Sequence, residues 1–531
     1  MSSCFGRFPP TTITTINLFN KSVREKYLPN ISKVFHSPSF YYNTKKQQHK
    51  SSSHVAGINT INNPFRLAII GSGPAGFYTA QRVLKNCSFA TVDMYEALPT
   101  PHGLVRYGVA PDHPEVKNAQ NRFDEVARDP RYRFVGNVSV GTNLTINDLK
   151  AHHDAIVLSY GATEEKTLGI EFEDGTVLKN IFSAREFVGW YNGMPQYRNL
   201  MPDLTRSDTA VVIGHGNVAL DIARILLMDV GALAKTDITE YALSALRNSK
   251  IRNVIVLGRR GPLQVSFTAK ELREMMNLPN TKFVTEFNFV KQELETHADL
   301  ISKNRSLKRL MQIIEKGFIN TTTTNNQPEK TWTLKFLRSP IEFIPNNETE
   351  PSYVQGLRLN VNRLEGSFEK CVAVPTGNVE ELEASLVVKS LGYRSKPLEG
   401  VPFDHKRGLI PNVNGKMLDE EGNELPGFYV SGWIKRGPSG VIAATMYDAY
   451  ETAETILSDI DQKKPMIPNP GIGPKQGADA IIPLLKERGV RTVSFDDWKK
   501  VEEKENELGR QKGKPREKVV TTEQVLEILG D

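Results

Sequence analysis

Residues 67–76 read Leu-Ala-Ile-Ile-Gly-Ser-Gly-Pro-Ala-Gly, and the next stretch puts Phe77, Ala80, Val83 and Leu84 on one face of a helix. A β-branched run passing straight into G-x-G-x-x-G and then into helical periodicity marks a dinucleotide-binding turn. Each glycine has its own task. Gly71 makes the tight turn, Gly73 lets backbone N–H groups approach a pyrophosphate, and Gly76 lets the helix pack close to the sheet. The positive end of the helix then faces the phosphates. Glu96 lies twenty residues after Gly76 and closes the next strand candidate, where a carboxylate can accept both ribose hydroxyls.

A second motif begins with Ala210-Val-Val-Ile and continues as Gly214-His215-Gly216-Asn217-Val218-Ala219, ahead of a helix carrying Ile222, Ile225 and Leu226. Alanine at the third glycine position suits a nicotinamide site. The next strand candidate does not end in an acid but in Gly258-Arg259-Arg260. An acid there would repel a 2′-phosphate, whereas two guanidinium groups offer it forked, charge-assisted hydrogen bonds. This site is expected to prefer NADPH over NADH. Two nucleotide sites of different character imply two nucleotides, one fixed flavin and one exchangeable nicotinamide.

Strand candidates are Leu67–Ile70, Thr91–Tyr95, Ala155–Ser159, Ala210–Ile213, Val254–Leu257, Ser385–Lys389 and Gly427–Ser431. They alternate with helical patterns, which predicts an α/β fold with parallel sheets and two Rossmann-like dinucleotide-binding domains. Residues 320–330 and 345–352 are polar loops, and a Pro/Gly-rich link after Pro465 leads to a charged tail with two short helical patterns.

At 531 residues the chain is long enough for several domains. Its net charge of +6 sits almost wholly in residues 1–63, which hold eight Lys/Arg and one acid, Glu25. The remainder has 59 basic against 60 acidic residues, so charge gives no reason to expect nucleic-acid binding. A basic, acid-poor leader rich in Ser, Thr and Asn is the composition of an organellar import sequence. No apolar run reaches the length of a membrane span. Cys4, Cys87 and Cys371 are too scattered for a paired redox centre, an iron–sulfur cluster or a zinc site. Any redox chemistry must therefore be carried by a bound cofactor.

With these motifs in place the chain resembles the mitochondrial NADPH–adrenodoxin/ferredoxin reductases. The resemblance runs from about Pro64 to the C-terminus, on GSGPAGFYTAQ, HGLVRYGVAPDHPEVKN, FSAREFVGWYNG, GNVALDIARILL, GRRGPLQVSFTAKELREM, SLGYRSKP and GWIKRGPSGVI. It implies a discontinuous FAD domain (64–163 and 393–531, the latter with a C-terminal extension) with an NADP domain (164–392) inserted into it. Residues 1–63 would be a mitochondrial transit peptide. FAD contacts carried over fall at Ala75, Glu96, Leu104, Val140, Trp433, Gly440, Val441 and Ile442. NADP contacts fall at His215, Gly216, Asn217, Val218, Arg259, Arg260, Glu271 and Gly440. His215 departs from the family, which usually has glutamine there; histidine can still donate to a phosphate, with added pH dependence. The implied reaction passes hydride from NADPH to FAD and then single electrons to a [2Fe-2S] ferredoxin in mitochondria. No metal and no obligatory acid–base residue is expected, although His113 and Asp221 match family residues near the flavin and nicotinamide. Read by themselves, the two are a loop histidine and a helix-surface acid. The implied protein is a monomer, with peripheral inner-membrane association left open.

A helix over about 301–316 places Leu307, Leu310, Met311 and Ile314 toward a core, with Arg305, Lys308 and Arg309 opposite. Ferredoxins are acidic, and such a cluster would steer them; the resemblance puts ferredoxin-binding arginines at Arg305 and Arg309. Glutamate synthase small-subunit relatives carry cysteine-rich segments that this chain lacks, and flavin disulfide reductases need a cysteine pair. A non-catalytic NADPH sensor on the same fold is the rival of a different class, and turnover separates the two.

Overall fold

The expected strand runs do form strands, because β-branched residues flanked by glycine turns are buried on both faces of parallel sheets. The computed structural model describes residues 63–322, 329–346, 352–469, 471 and 473–530; the leader expected at 1–63 lies almost wholly outside them. Strands β1 (Phe65–Ile70), β2 (Ala90–Tyr95), β3 (Tyr132–Val135) and β4 (Ala155–Leu158) come first. With β16 (Asn412–Val413), β17 (Lys416–Leu418) and β18 (Glu424–Val430) they make a seven-stranded sheet ordered β16-β17-β18-β4-β1-β2-β3. From β18 to β3 all pairings are parallel.

Between the two halves of that sheet the chain builds another. Strands β6 (Ile181–Ser183), β7 (Thr209–Ile213), β8 (Asn253–Leu257), β9 (Thr281–Thr285), β10 (Lys330–Lys335) and β14 (Leu386–Lys389) form a parallel sheet ordered β6-β14-β7-β8-β10-β9. An antiparallel sheet of β11 (Arg338–Asn346), β12 (Tyr353–Glu365) and β13 (Val372–Glu383) is appended to it. The fold is thus a flanking body interrupted by an inserted body. The chain enters and leaves the insertion through β5 (Glu164–Glu165) and β15 (Tyr393–Arg394), which pair with each other.

Two expectations are corrected. The helix expected over 301–316 begins at Arg305 and runs to Thr322, three residues into the stretch read as loop. A separate short helix, Ala298–Lys303, precedes it. Asn304 divides them: its extended backbone stops one helix, and its side-chain oxygen accepts from Leu307 N–H at 3.1 Å to start the next. The charged tail holds three helices, not two: Ala478–Glu487, Phe495–Gln511 and Thr522–Ile528. Trp498, Val501, Glu505 and Gly509 form the buried stripe of the middle one. Lysines and glutamates around that stripe obscure it in the sequence.

Candidate active site

Both glycine turns are built the same way. Gly71 (φ +102°) backs onto the end of β4, and a Cβ there would lie 2.7 Å from the Ser159 carbonyl oxygen. Gly214 (φ +132°) backs onto the end of β14, and a Cβ would lie 2.2 Å from the Ser390 carbonyl oxygen. Positive φ and backbone contact leave only glycine at either place. The second glycines are different, since a Cβ at Gly73 or Gly216 would meet nothing within 4 Å. That open space lies before the N-termini of the helices Pro74–Asn86 and Asn217–Leu227. Each turn therefore presents backbone and free volume where a pyrophosphate binds. At the third position a Cβ on Gly76 would sit 2.2 Å from the Gly71 carbonyl oxygen, whereas Ala219 is accommodated with its side chain fully buried.

Around the first turn the flavin candidates converge on the C-terminal edge of the seven-stranded sheet. Glu96 accepts from the Ser72 N–H (2.9 Å), the Ser72 hydroxyl (2.7 Å) and the Leu98 N–H (3.0 Å). A carboxylate offers about four lone-pair positions, so the Ser72 hydroxyl must turn away before both ribose hydroxyls can be accepted. Leu104 starts a short helix after Gly103, whose Cβ would lie 3.1 Å from Gly73 Cα. Val138 N–H donates to the Glu96 carbonyl at 2.8 Å, which carries the chain beyond β3 toward Val140 past the same edge. On the other side Gly432 (φ +78°) closes on Ala75, where a Cβ would come within 2.5 Å of the alanine Cβ. Its N–H donates to Asp448 at 2.5 Å, and Trp433 stacks on Tyr393 at 5.6 Å between ring centroids. Gly440 (φ +79°) and Val441 are exposed and lead into the helix Ile442–Asp461. An exposed glycine turn before a helix N-terminus and a neighbouring aromatic stack are features that fit an isoalloxazine ring.

At the second turn Arg259 is exposed and Arg260 half-buried, directly after β8. Asn217 accepts the Thr268 N–H at 2.7 Å, and the His215 carbonyl accepts from Ser266 N–H at 2.7 Å. These bonds latch the helix Ala269–Met276, and Glu271 on it, to the turn. The His215 side chain departs from expectation. Its Nε2 bonds the Val256 carbonyl at 3.1 Å, and its ring packs 5.1 Å from Phe336. The residue is partly accessible at the loop, but its ring is directed into the body, and burial pushes its pKa down to about 4. The bond to Val256 holds the ring away from the mouth of the turn and burial keeps it neutral over about pH 5.5–8, so the pH dependence expected of His215 is not carried by this ring.

His113 and Asp221 are neither an isolated loop histidine nor a bare helix-surface acid; the structure joins them across the seam between the bodies. Asp112 and His113 come from the flanking body, and Asp221, Arg224, Glu271 and Glu274 from the inserted one. Arg224 binds Asp112 through Nε (2.5 Å) and a terminal nitrogen (3.1 Å), and reaches Asp221 at 2.8 Å. His113 Nε2 bonds Glu274 at 2.9 Å. Burial, then Asp221 and Glu274, push Glu271 up to about 8; burial likewise raises Asp221. His113, Glu271 and Glu274 bring ligand-type atoms within 4.8 Å of one another. Arg224 already supplies positive charge to the two glutamates at 3.7–3.8 Å.

Sequence reasoning misses Asp112, Arg224, Glu274, Tyr393 and Asp448. Arg224 has a signal, since it stands at i+3 from Asp221 on one helix face; the others depend on tertiary contacts alone. On the helix Arg305–Thr322, Leu307, Leu310, Met311 and Ile314 are buried, while Arg305, Lys308 and Arg309 are exposed.

No protein-family model matches the chain. It is 47% identical over 474 residues to the mitochondrial NADPH:adrenodoxin oxidoreductase of Bos taurus, covering 88% of this chain and 92% of that protein. It is 46% identical over 486 residues to the protein so named in Salvelinus fontinalis (89% and 93%). The Arabidopsis thaliana protein of that name is 44% identical over 474 residues (87% and 95%). Among solved structures, Mycobacterium tuberculosis FprA in complex with NADPH superposes with a TM-score of 0.78 at 38% identity, covering 88% of this chain and all of that one.

Proposed function

The chain belongs to the mitochondrial NADPH:adrenodoxin oxidoreductase family, and from that premise we propose that it moves electrons from NADPH through FAD to a [2Fe-2S] ferredoxin in the mitochondrial matrix. The carrying observation is the pair of glycine turns, each open at its second glycine, one leading to Glu96 and the other to Arg259 and Arg260. FAD belongs in the flanking body, on Gly71, Gly73, Ala75, Gly76, Glu96, Leu104, Val140, Trp433 and Gly440–Ile442. NADPH belongs in the inserted body, on the turn Gly214–Val218, with Arg259 and Arg260 on the 2′-phosphate. When bound, FAD supplies the conversion of a two-electron hydride donor into single electrons.

The chain's own contribution is placement. Asp448 fixes the Gly432 N–H, and Tyr393 holds the Trp433 ring flat. His113, Arg224 and the acids around them hold the two bodies in one relative position, and burial with the neighbouring acids favours the protonated form of Glu271. Arg305, Lys308 and Arg309 form a basic face on the inserted body for an acidic ferredoxin. The basic leader supports mitochondrial delivery, and no helix among the described residues is long and apolar enough to cross a membrane.

Protein lacking residues 1–60 tests the reading. It is expected to carry a flavin spectrum, to bleach with anaerobic NADPH, and to reduce cytochrome c only when ferredoxin is added. A colourless protein, or a flavin indifferent to NADPH, would overturn it in favour of a nucleotide sensor.

A further inference from the structure

The seam between the bodies is pinned a second time, away from the His113–Arg224 cluster, by the C-terminal segment. Its helix Phe495–Gln511 lies on the flanking body: Glu505 takes Arg106 in two hydrogen bonds (2.5 and 3.0 Å), and Lys499 pairs with Asp124 at 3.0 Å. The chain then turns at Gly513 and reaches the inserted body. Lys514 Nζ donates to the Ile238 carbonyl at 2.5 Å, and Glu517 accepts the Glu240 N–H at 3.3 Å. Lys518 pairs with Asp237 at 3.1 Å and donates to Asn192 at 3.4 Å. The side chains of Lys514 and Lys518 are each only 1% exposed, so these are enclosed contacts rather than solvated surface pairs.

Asp237 is the common anchor. Besides Lys518 it binds Lys117 of the flanking body, at 2.6 and 2.7 Å to its two oxygens. Burial alone would raise the pKa of this carboxyl, but Lys518 and Lys117 outweigh it and hold Asp237 well below the ordinary carboxylate range. Lys117 ends the one-turn helix Pro114–Lys117 that starts next to His113. The position of His113 opposite Glu274 is therefore set from both ends of that turn.

We propose that residues 495–530 are an interdomain strap and that Asp237 is a positioning residue for hydride transfer, fixing how the inserted body presents its nucleotide to the flanking body. The proposal rests on the reading that NADPH reduces FAD across this seam. A reaction of this kind is sensitive to small displacements, about 1 Å costing on the order of a hundredfold in rate. Neither Asp237 nor Lys518 touches either glycine turn, so loss of the anchor should disturb approach while leaving both binding sites intact.

The test compares Asp237→Asn and Lys518→Met with the unaltered flavoprotein in single-turnover bleaching by saturating NADPH. Both variants should hold a full complement of flavin and bind NADP+ within about twofold of the parent, yet bleach at least about tenfold more slowly. Asp237→Glu should recover most of the rate, which a general loss of stability would not permit. Bleaching at the parental rate in both flavin-loaded variants would overturn the strap. Should a variant fail to load flavin, the decision passes to loaded parental enzyme cut at a protease site inserted between Lys512 and Gly513. Slower bleaching after the C-terminal fragment has been removed supports the proposal, and an unchanged rate overturns it. If the unaltered enzyme itself does not bleach, the functional reading fails and not the strap.

Discussion

At the scale of single residues, the nucleotide preference turns on the two arginines at the end of β8. Arg259 is exposed and makes no ion pair among the described residues, so its guanidinium is available to a 2′-phosphate. Hydrogen bonds to charged groups contribute about 1.5–3 kcal/mol. Arg259→Glu should therefore raise the Kd for NADPH by roughly ten- to a hundredfold while leaving NADH almost unchanged, and equal weakening of both would remove the assignment. Glu271 gives a second test. The folded chain keeps its proton up to about pH 8, whereas the unfolded chain releases it near 4.5. The folded state binds the extra proton across that window, so stability falls as pH rises through it. Glu271→Gln should flatten the decline, seen as a smaller drop in Tm between about pH 5 and 8 than in the parent. Arg259 is legible in the sequence because a strand end dictates its place. The proton on Glu271 is not, because it depends first on burial and then on Asp221, from another helix, arriving within reach after folding.

At the scale of elements, periodicity tells most where one face of a helix is buried. The apolar set of Arg305–Thr322 is legible because Leu307, Leu310, Met311 and Ile314 repeat at helical spacing against the core. The start of that helix is not, because a single asparagine decides it. Arg305→Glu with Arg309→Glu should slow ferredoxin reduction at low salt by about tenfold or more and flatten its salt dependence. Tm should hardly move, since both side chains are exposed. Unchanged salt dependence would mean that ferredoxin docks elsewhere. The helix Phe495–Gln511 escapes sequence reasoning for the opposite reason. Its buried stripe includes a glutamate and a glycine, and a polar residue at a core position looks like surface until its partner is known.

At the scale of the whole molecule, that glutamate marks where the C-terminal segment is committed to the fold. Glu505 and Arg106 have side chains 0% and 1% exposed, and Glu505 also accepts the Val519 N–H at 2.9 Å. Removing one member of a buried pair leaves an uncompensated charge, which costs about 3–5 kcal/mol. Glu505→Ala should lower stability to denaturant by that amount, and a loss below about 1 kcal/mol would show the pair to be dispensable. Long-range pairings of this kind, 399 residues apart in sequence, have no local signature and become visible only in the folded chain. The ladder of β5 and β15 has a consequence of another sort. Because Glu164–Glu165 and Tyr393–Arg394 run side by side, the insertion begins and ends at one spot. The inserted residues thus hang from the flanking body as a closed loop with neighbouring ends. A change in their length need not part the two halves of the seven-stranded sheet, whereas excising them would leave Asp112, Lys117 and Lys518 without their partners.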